Sequence, residues 1–550
     1  MRLFVSNRNQ ERLRRARLAG GMAAILLVTV FPALASGNWP QDEVTRNFDK
    51  TLTLGAGQSV RVEHKFGEIK VHGESGREVK ISAVIRAQAS SHDEAESFAQ
   101  KIQIEVQQTA AGISIRTIYP PEENKWFHIS KHSSWSVNYD IAVPTDAPLN
   151  IRNSYGSVNV ARVHGAVEVE NGYGSLNVQD AGPARLTNSF GSIELTGAAG
   201  NSVVNNKNSS VQVSDVKGTL DVQDRFGSIT VRNIQGGATI TGGNGAITLD
   251  GAASANVTTS FGNVDTKNVR GDLSVHDNNG NVDIVAIAGS LDVSDSFGNV
   301  TFSDVKGRVN CTTNNGRVMA SSLGGPSVTI RDSFGNLELE NISGSLDADT
   351  SNGKITARDI RGVVTLKSSF GAIEATNIPK GIRAITGNGA INLTDIGADA
   401  FAKTSFGSID AERINGNLTA EDSNGSVTAR NVKGDATVTT SFSGVTLESI
   451  GGRIRVDNQN GGISVTALRP ASGCRDISLK TSFSSIHVRI PEGVGYNVAA
   501  RTSFGKVSSE LPVTATGNIG GESLNGTIGA GGCQLQLTNS NGSIEIAKAP

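Results

Sequence analysis

From Tyr155 onward one pattern of apolar and polar positions recurs along the chain. An aromatic residue or an asparagine is followed by a glycine, one free position and an aliphatic residue. These marks begin Tyr155, Tyr173, Phe190, Asn208, Phe226 and Asn244, and they continue to Phe483, Phe504, Asn525 and Asn541. Successive marks lie 17 to 19 residues apart from Tyr155 to Asn460, and the third position after the mark is Val, Leu or Ile in all 22 copies. The position after the mark is Gly in 19 of the 22, with Ser209, Ser443 and Ser484 as the exceptions. Within one copy, Ile229 and Val231, then Ala238 and Ile240, alternate with polar residues. Period two predicts short strands with one buried face. Gly227 and Gly236 fall where the chain must turn, and Ile234 stands at one corner in the place that Phe226 holds at the other. Each unit thus reads as two short strands with a corner after each.

Strands of this length cannot bury an apolar face alone. Stacked coil upon coil they make one continuous core, and each coil hydrogen-bonds to the next. The even spacing over nearly 400 residues leaves no room for linkers between separate modules. The fold class expected is all-β, a parallel β-solenoid built from 18-residue repeats. Two coil sizes fit. An 18-residue coil with two strands is the simpler, and 22 of them at about 4.8 Å each would give a rod about 100 Å long. From Phe190 to Asn460, however, the marks alternate Phe, Asn, Phe, Asn without error, a super-period of about 36 residues. A four-strand coil of that size would stack like on like: Phe190, Phe226, Phe261, Phe297, Phe334, Phe370, Phe406 and Phe442 in a structural ladder, and the Asn marks in another. The alternation favours the larger coil.

Residues 36–150 read as an N-terminal cap region, 151–470 as the regular solenoid, and 471–550 as irregular final coils with a cap. Val60 to Ile69 is an early copy of the repeat. Ser91 to Ile102 is the one helical stretch, with Ser91 and Glu94 at capping-box spacing and Ala95, Phe98 and Ile102 on one face. Strands are expected at Lys101–Gln107 and Ser134–Val143. Before the cap, Arg-rich residues precede an apolar run from Met22 to Ala35 that is too short to span a bilayer as a helix. Ala33-Leu34-Ala35 has the small-x-small form of a cleavage site, so residues 1–35 read as a secretory signal peptide. The mature chain is expected in the periplasm or at the cell surface, with no transmembrane segment.

Composition sharpens this picture. Gly 64 with Pro 13 and 37% hydrophobic residues suits many short strands joined by glycine turns, and excludes collagen. The net charge is −2, and residues 1–35 carry six Arg and one Glu, so the remainder is 44 − 51 = −7. A mildly acidic body makes nucleic acid a poor partner. The nonapeptide calcium repeat fails because Ile247 stands where its Asp belongs, and the hexapeptide helix fails because the aliphatics fall at other offsets.

Taken together, the Ser-Phe-Gly-Ser-Ile and Ser-Asn-Gly-Ser-Val elements, the lead-in Val62-Glu63-His64-Lys65-Phe66-Gly67 and the export signal resemble a bacterial family of exported adhesin-like domains, loosely related to auto-transporter adhesin heads. The resemblance covers about residues 60 to 550. It implies an exported β-solenoid with an adhesin-like binding or structural role in the cell envelope, and it brings no catalytic residues.

Candidate chemistry is sparse. Asp215, Asp221, Asp292, Asp295, Asp304, Asp347 and Asp359 recur in corner or outward positions along the whole rod, where a repeated carboxylate solvates a face and catalysis would need one special place. A non-enzymatic protein is expected; a polysaccharide-active lyase or hydrolase is the alternative. No cofactor and no metal are expected, since His128 and His132 beside Glu122 and Glu123 lack a strand or helix context. Cys311 falls at an inward offset. Cys474 and Cys533 lie in irregular coils, where a disulfide is chemically allowed outside the cytoplasm. The one aromatic concentration is Tyr119, Trp126, Phe127, Trp135 and Tyr139. It suits contacts to an envelope glycan or a surface protein, or a plug that seals the solenoid end.

Overall fold

The computed structural model describes residues 42–120, 133–466, 474–515 and 520–549. The proposed signal peptide lies outside them. Eighteen successive coils run from Leu149 to Thr466, each made of two strands. In one coil Leu220–Asp224 joins the first sheet and Ile229–Ile234 the second. The next coil lies parallel and in register, with Leu220 opposite Ala238 and Ile229 opposite Ile247. The chain is a parallel β-solenoid with an 18-residue turn.

That spacing overturns the 36-residue, four-strand coil. Phe297 bridges Asn279 on one side and Asn315 on the other, so each Phe neighbours Asn and the predicted Phe-on-Phe ladder does not form. Two strands and two corners already close around the core. The alternation has a cross-coil cause instead. The Asn208 side-chain amide donates to the Ser189 carbonyl at 3.1 Å, Asn424 to Ser405 at 2.9 Å and Asn460 to Ser441 at 3.0 Å. Each accepting serine precedes a Phe mark, so the bond joins unlike coils.

The strand phase is as expected. Ile229, Val264, Val300, Ile373 and Ile409 are buried in one sheet, and Cys311 is buried in the other. The two corners differ, however: Ile234 is fully buried whereas Phe226 is 55% exposed. At the inward corner the preceding residue takes a left-handed conformation, with φ of 55° at Asn233, 60° at Asn268 and 56° at Asp359, and this turns the next aliphatic inward. Asn and Asp tolerate that region best, which accounts for Asp215, Asp304 and Asp359 there.

Val60 to Ile69 forms the first coil, with Ser59–Glu63 paired to Leu149–Tyr155 and Ile69–Glu74 to Val158–Val163. Residues between them fold over its open end. Gly112–Ile118 and Ser134–Pro144 extend the two sheets, and Asp42–Thr53 and Glu78–Ala89 add antiparallel strands. The helix is His92–Lys101, capped by Ser91 Oγ accepting the Glu94 N–H, with Ala95 and Ala99 buried. Covering the edge removes a template for stray pairing.

The far end departs from simple winding. Ile477–Lys480 and Ile486–Ile490 make one coil, Tyr496–Arg501 and Val507–Ser509 another, but they do not touch as neighbours. Cys533–Thr538 pairs in parallel with both first strands, and Ile544–Lys548 with both second strands. The chain skips one coil position and returns to fill it. Asn525 lies in the antiparallel strand Ser523–Ile528 of this excursion, so it is not a corner mark. The inserted coil is tied by a disulfide between Cys474 and Cys533.

Candidate functional site

At the capped end, Tyr139 is buried and its hydroxyl lies 2.6 Å from Thr117 Oγ1, which lies 2.9 Å from His64 Nδ1. The Tyr119 hydroxyl accepts the Phe66 N–H at 3.1 Å. Burial raises the Tyr119 phenol, pushes Tyr139 up to about 12 and lowers His64 to about 4, so all three are neutral at pH 7. Trp135 is half-buried, stacked 5.8 Å from Phe98 of the helix and edge-on to Phe66 at 6.3 Å. Tyr119, Trp135 and Tyr139 thus converge on the end of the core, the two tyrosines with their hydroxyls bonded inward. Trp126, Phe127, His128 and His132 lie outside the described residues.

Along the rod, the outward corner carries a feature that the sequence reading passed over. Two residues before each mark stands a small polar side chain that points inward: Asn188, Asp224, Thr259, Asp277, Asp295 and onward to Asn458. Hydroxyls there close the corner by accepting the N–H three residues on, as Ser368 does from Gly371 at 2.9 Å, whereas asparagine amides donate to the carbonyl three residues on, as Asn206 does to Ser209 at 2.7 Å; both kinds also donate to the coil before, as Thr386 does to the Gly371 carbonyl at 2.9 Å. Asp295 is 3% exposed, which corrects the expectation that its carboxylate solvates a face. Burial, then the charge of Asp277 one coil away, pushes its carboxyl up to about 6. The signal was present: Asn, Asp, Thr or Ser recurs at that offset, with Gly242 and His64 as departures.

Outside the same corner the rings form an exposed column. Phe66, Tyr155, Tyr173 and Phe190 occupy successive coils and stack, with centroids 5.2, 4.9 and 4.6 Å apart. Beyond Phe190 they occupy alternate coils, and exposure rises from 55% at Phe226 to 80% at Phe504. In sequence Phe483 and Phe504 break the alternation. In space they keep it, because the inserted coil places Asn541 between them, its amide donating to the Ser482 carbonyl at 3.1 Å.

The two lateral faces are flat and polar. Charged groups pair across neighbouring coils: Lys403 with Glu421 at 2.8 Å, Arg413 with Asp395 at 2.6 Å, Arg453 with Asp435 at 3.0 Å. A shallow depression of about 540 Å³ is lined by Met319, Glu338, Glu340, Lys354, Arg358 and Glu374, and there Lys354 binds Glu374 at 2.7 Å while Arg317 binds Glu338. Among the described residues no three His, Cys, Asp or Glu groups come together as a metal site, and no helix is long and apolar enough to cross a membrane.

No family model matches the chain, and no curated protein matches it. Among solved structures, a crystal structure described as a candidate cell adhesion protein from Clostridium sporogenes aligns with 46% of this chain and all of its own, at 10% identity and a TM-score of 0.20.

Proposed function

We propose that this chain is an exported, non-enzymatic β-solenoid that acts as an adhesin-like binding or structural protein of the cell envelope. It engages envelope glycans or surface proteins along its lateral faces, without a cofactor. The repetition of polar groups along those faces carries the reading. Outward hydroxyls and carboxylates recur at 18-residue spacing, as at Thr230 and Thr248 or Asp265 and Asp283, so contacts multiply with length. Repeated weak contacts on one rigid body gain strength through effective concentration. The Cys474–Cys533 disulfide and the leader-like N-terminus fit an oxidising compartment outside the cytoplasm.

The test is retention of the purified protein on isolated cell-wall glycan and on whole cells, beside an assay for release of new chain ends from polysaccharides. Deleting residues 334–369 removes two whole coils and preserves the alternation. Retention should fall in step with length, and the deletion of another coil pair should act alike. Release of chain ends that one deletion abolishes and another spares would instead establish the lyase or hydrolase.

A further inference from the structure

The column of rings has a period that suits a copy of itself. From Phe226 to Phe504 each ring stands two coils from the next, about 10 Å, and an Asn coil lies between them. One further ring centred in that gap would lie about 5 Å from each neighbour. The same corner already holds rings at that spacing: Tyr155 to Tyr173 is 4.9 Å and Tyr173 to Phe190 is 4.6 Å. The intervening Asn amides fold back onto serine carbonyls one coil away, which keeps the floor of the gap low.

We propose that two copies of the chain pair antiparallel along this corner, with the rings of each entering the gaps of the other. Symmetry selects the arrangement. A two-fold axis parallel to the rods would set Phe against Phe at equal height. A two-fold axis across the rods that passes between a Phe coil and an Asn coil sets every Phe against an Asn, for example Phe370 of one copy against Asn352 of the other. The contact is closed and self-complementary. The corner is also neutral where it is longest: from Ser369 to Gly462 its six turns hold only Ser, Gly, Ala, Gln, Asn and Phe. Small neighbours allow close approach there, and that stretch brings no charge of its own to the contact. Nine rings at 55–80% exposure bury about 1,000 Å² per copy, which reaches the standard size of a stable interface.

Sedimentation of the purified protein across a dilution series tests this. The wild type should be a dimer. Phe334→Ser, Phe370→Ser and Phe406→Ser combined should raise the dissociation constant about 100-fold or more, with the melting temperature held, since these side chains are already in solvent. Asn352→Phe with Asn388→Phe should also give monomers, because each new ring fills the gap from within and stacks as Tyr173 does. A monomeric wild type overturns the proposal, and so does a dimer that survives either variant.

Discussion

At the polar corner Asn, Asp, Thr and Ser share a shape but not a charge. Asp295 holds its proton more tightly in the folded rod, up to about 6, than the ordinary carboxyl at 3.8 does. Between those values the native state binds more protons than the unfolded chain, so stability falls as pH rises, and above about 6 the whole penalty is present. Asn188 and Asn458 show that an amide fits the position. Asp295→Asn should therefore raise the melting temperature at pH 8 and give no gain at pH 4, which a pair of thermal melts decides. The glycine after the mark is constrained by proximity: a Cβ at Gly335 would lie 1.6 Å from the Gly316 carbonyl oxygen. Gly335→Ala must push two coils apart, and hydrogen exchange should show the loss concentrated in the strands from Val318 to Thr350. Ile373→Asp would bury an unpaired carboxylate at a fully covered position and should cost several kcal/mol in a denaturant titration.

Between single residues and the whole rod, the coil is the unit that can be added or removed. Deleting residues 352–369 takes out one Asn coil and brings Phe334 beside Phe370. Since the turn has 18 residues, the chain should stay folded, and the two rings should stack as Tyr173 and Phe190 do; circular dichroism and a crystal structure check both points. A 36-residue turn would be broken by the same deletion. Strand phase was legible beforehand because alternation at Ile229, Val231, Ala238 and Ile240 reports directly which side chains face the core. Coil size was not, because like-on-like stacking is a rule about neighbours of one kind, and here Asn bonds a serine carbonyl beside a Phe. Nor was the difference between corners, which depends on the left-handed backbone at Asn233 and its equivalents, a conformation that Asn and Asp favour but that Ala286 and Arg413 also adopt there. The aromatic concentration in the cap was visible as composition, yet the inward bonding of Tyr119 and Tyr139 centres on His64, which lies more than 50 residues away in sequence.

Taken whole, the rod is wound in one direction from Leu149 to Ile490; at its last coils, as in the N-terminal cap, consecutive strands are not neighbours, against the usual habit of chains. The disulfide ties the coil filling the gap to the coil before it. Reduction, or Cys533→Ser, should let hydrogen exchange accelerate first in Cys533–Thr538 and Ile544–Lys548 while coils between Leu149 and Thr466 keep their protection. The insertion also sets an order in time. A nascent chain that has reached Ser509 already owns both walls of the gap but nothing to put in it, and Leu479, Val488 and Val498 stay bare until residues through Lys548 emerge. A chain interrupted before that point displays an unsatisfied slit that proteases and other chains can enter. The rod thus seals itself out of sequence order, with its later strands as the wedge.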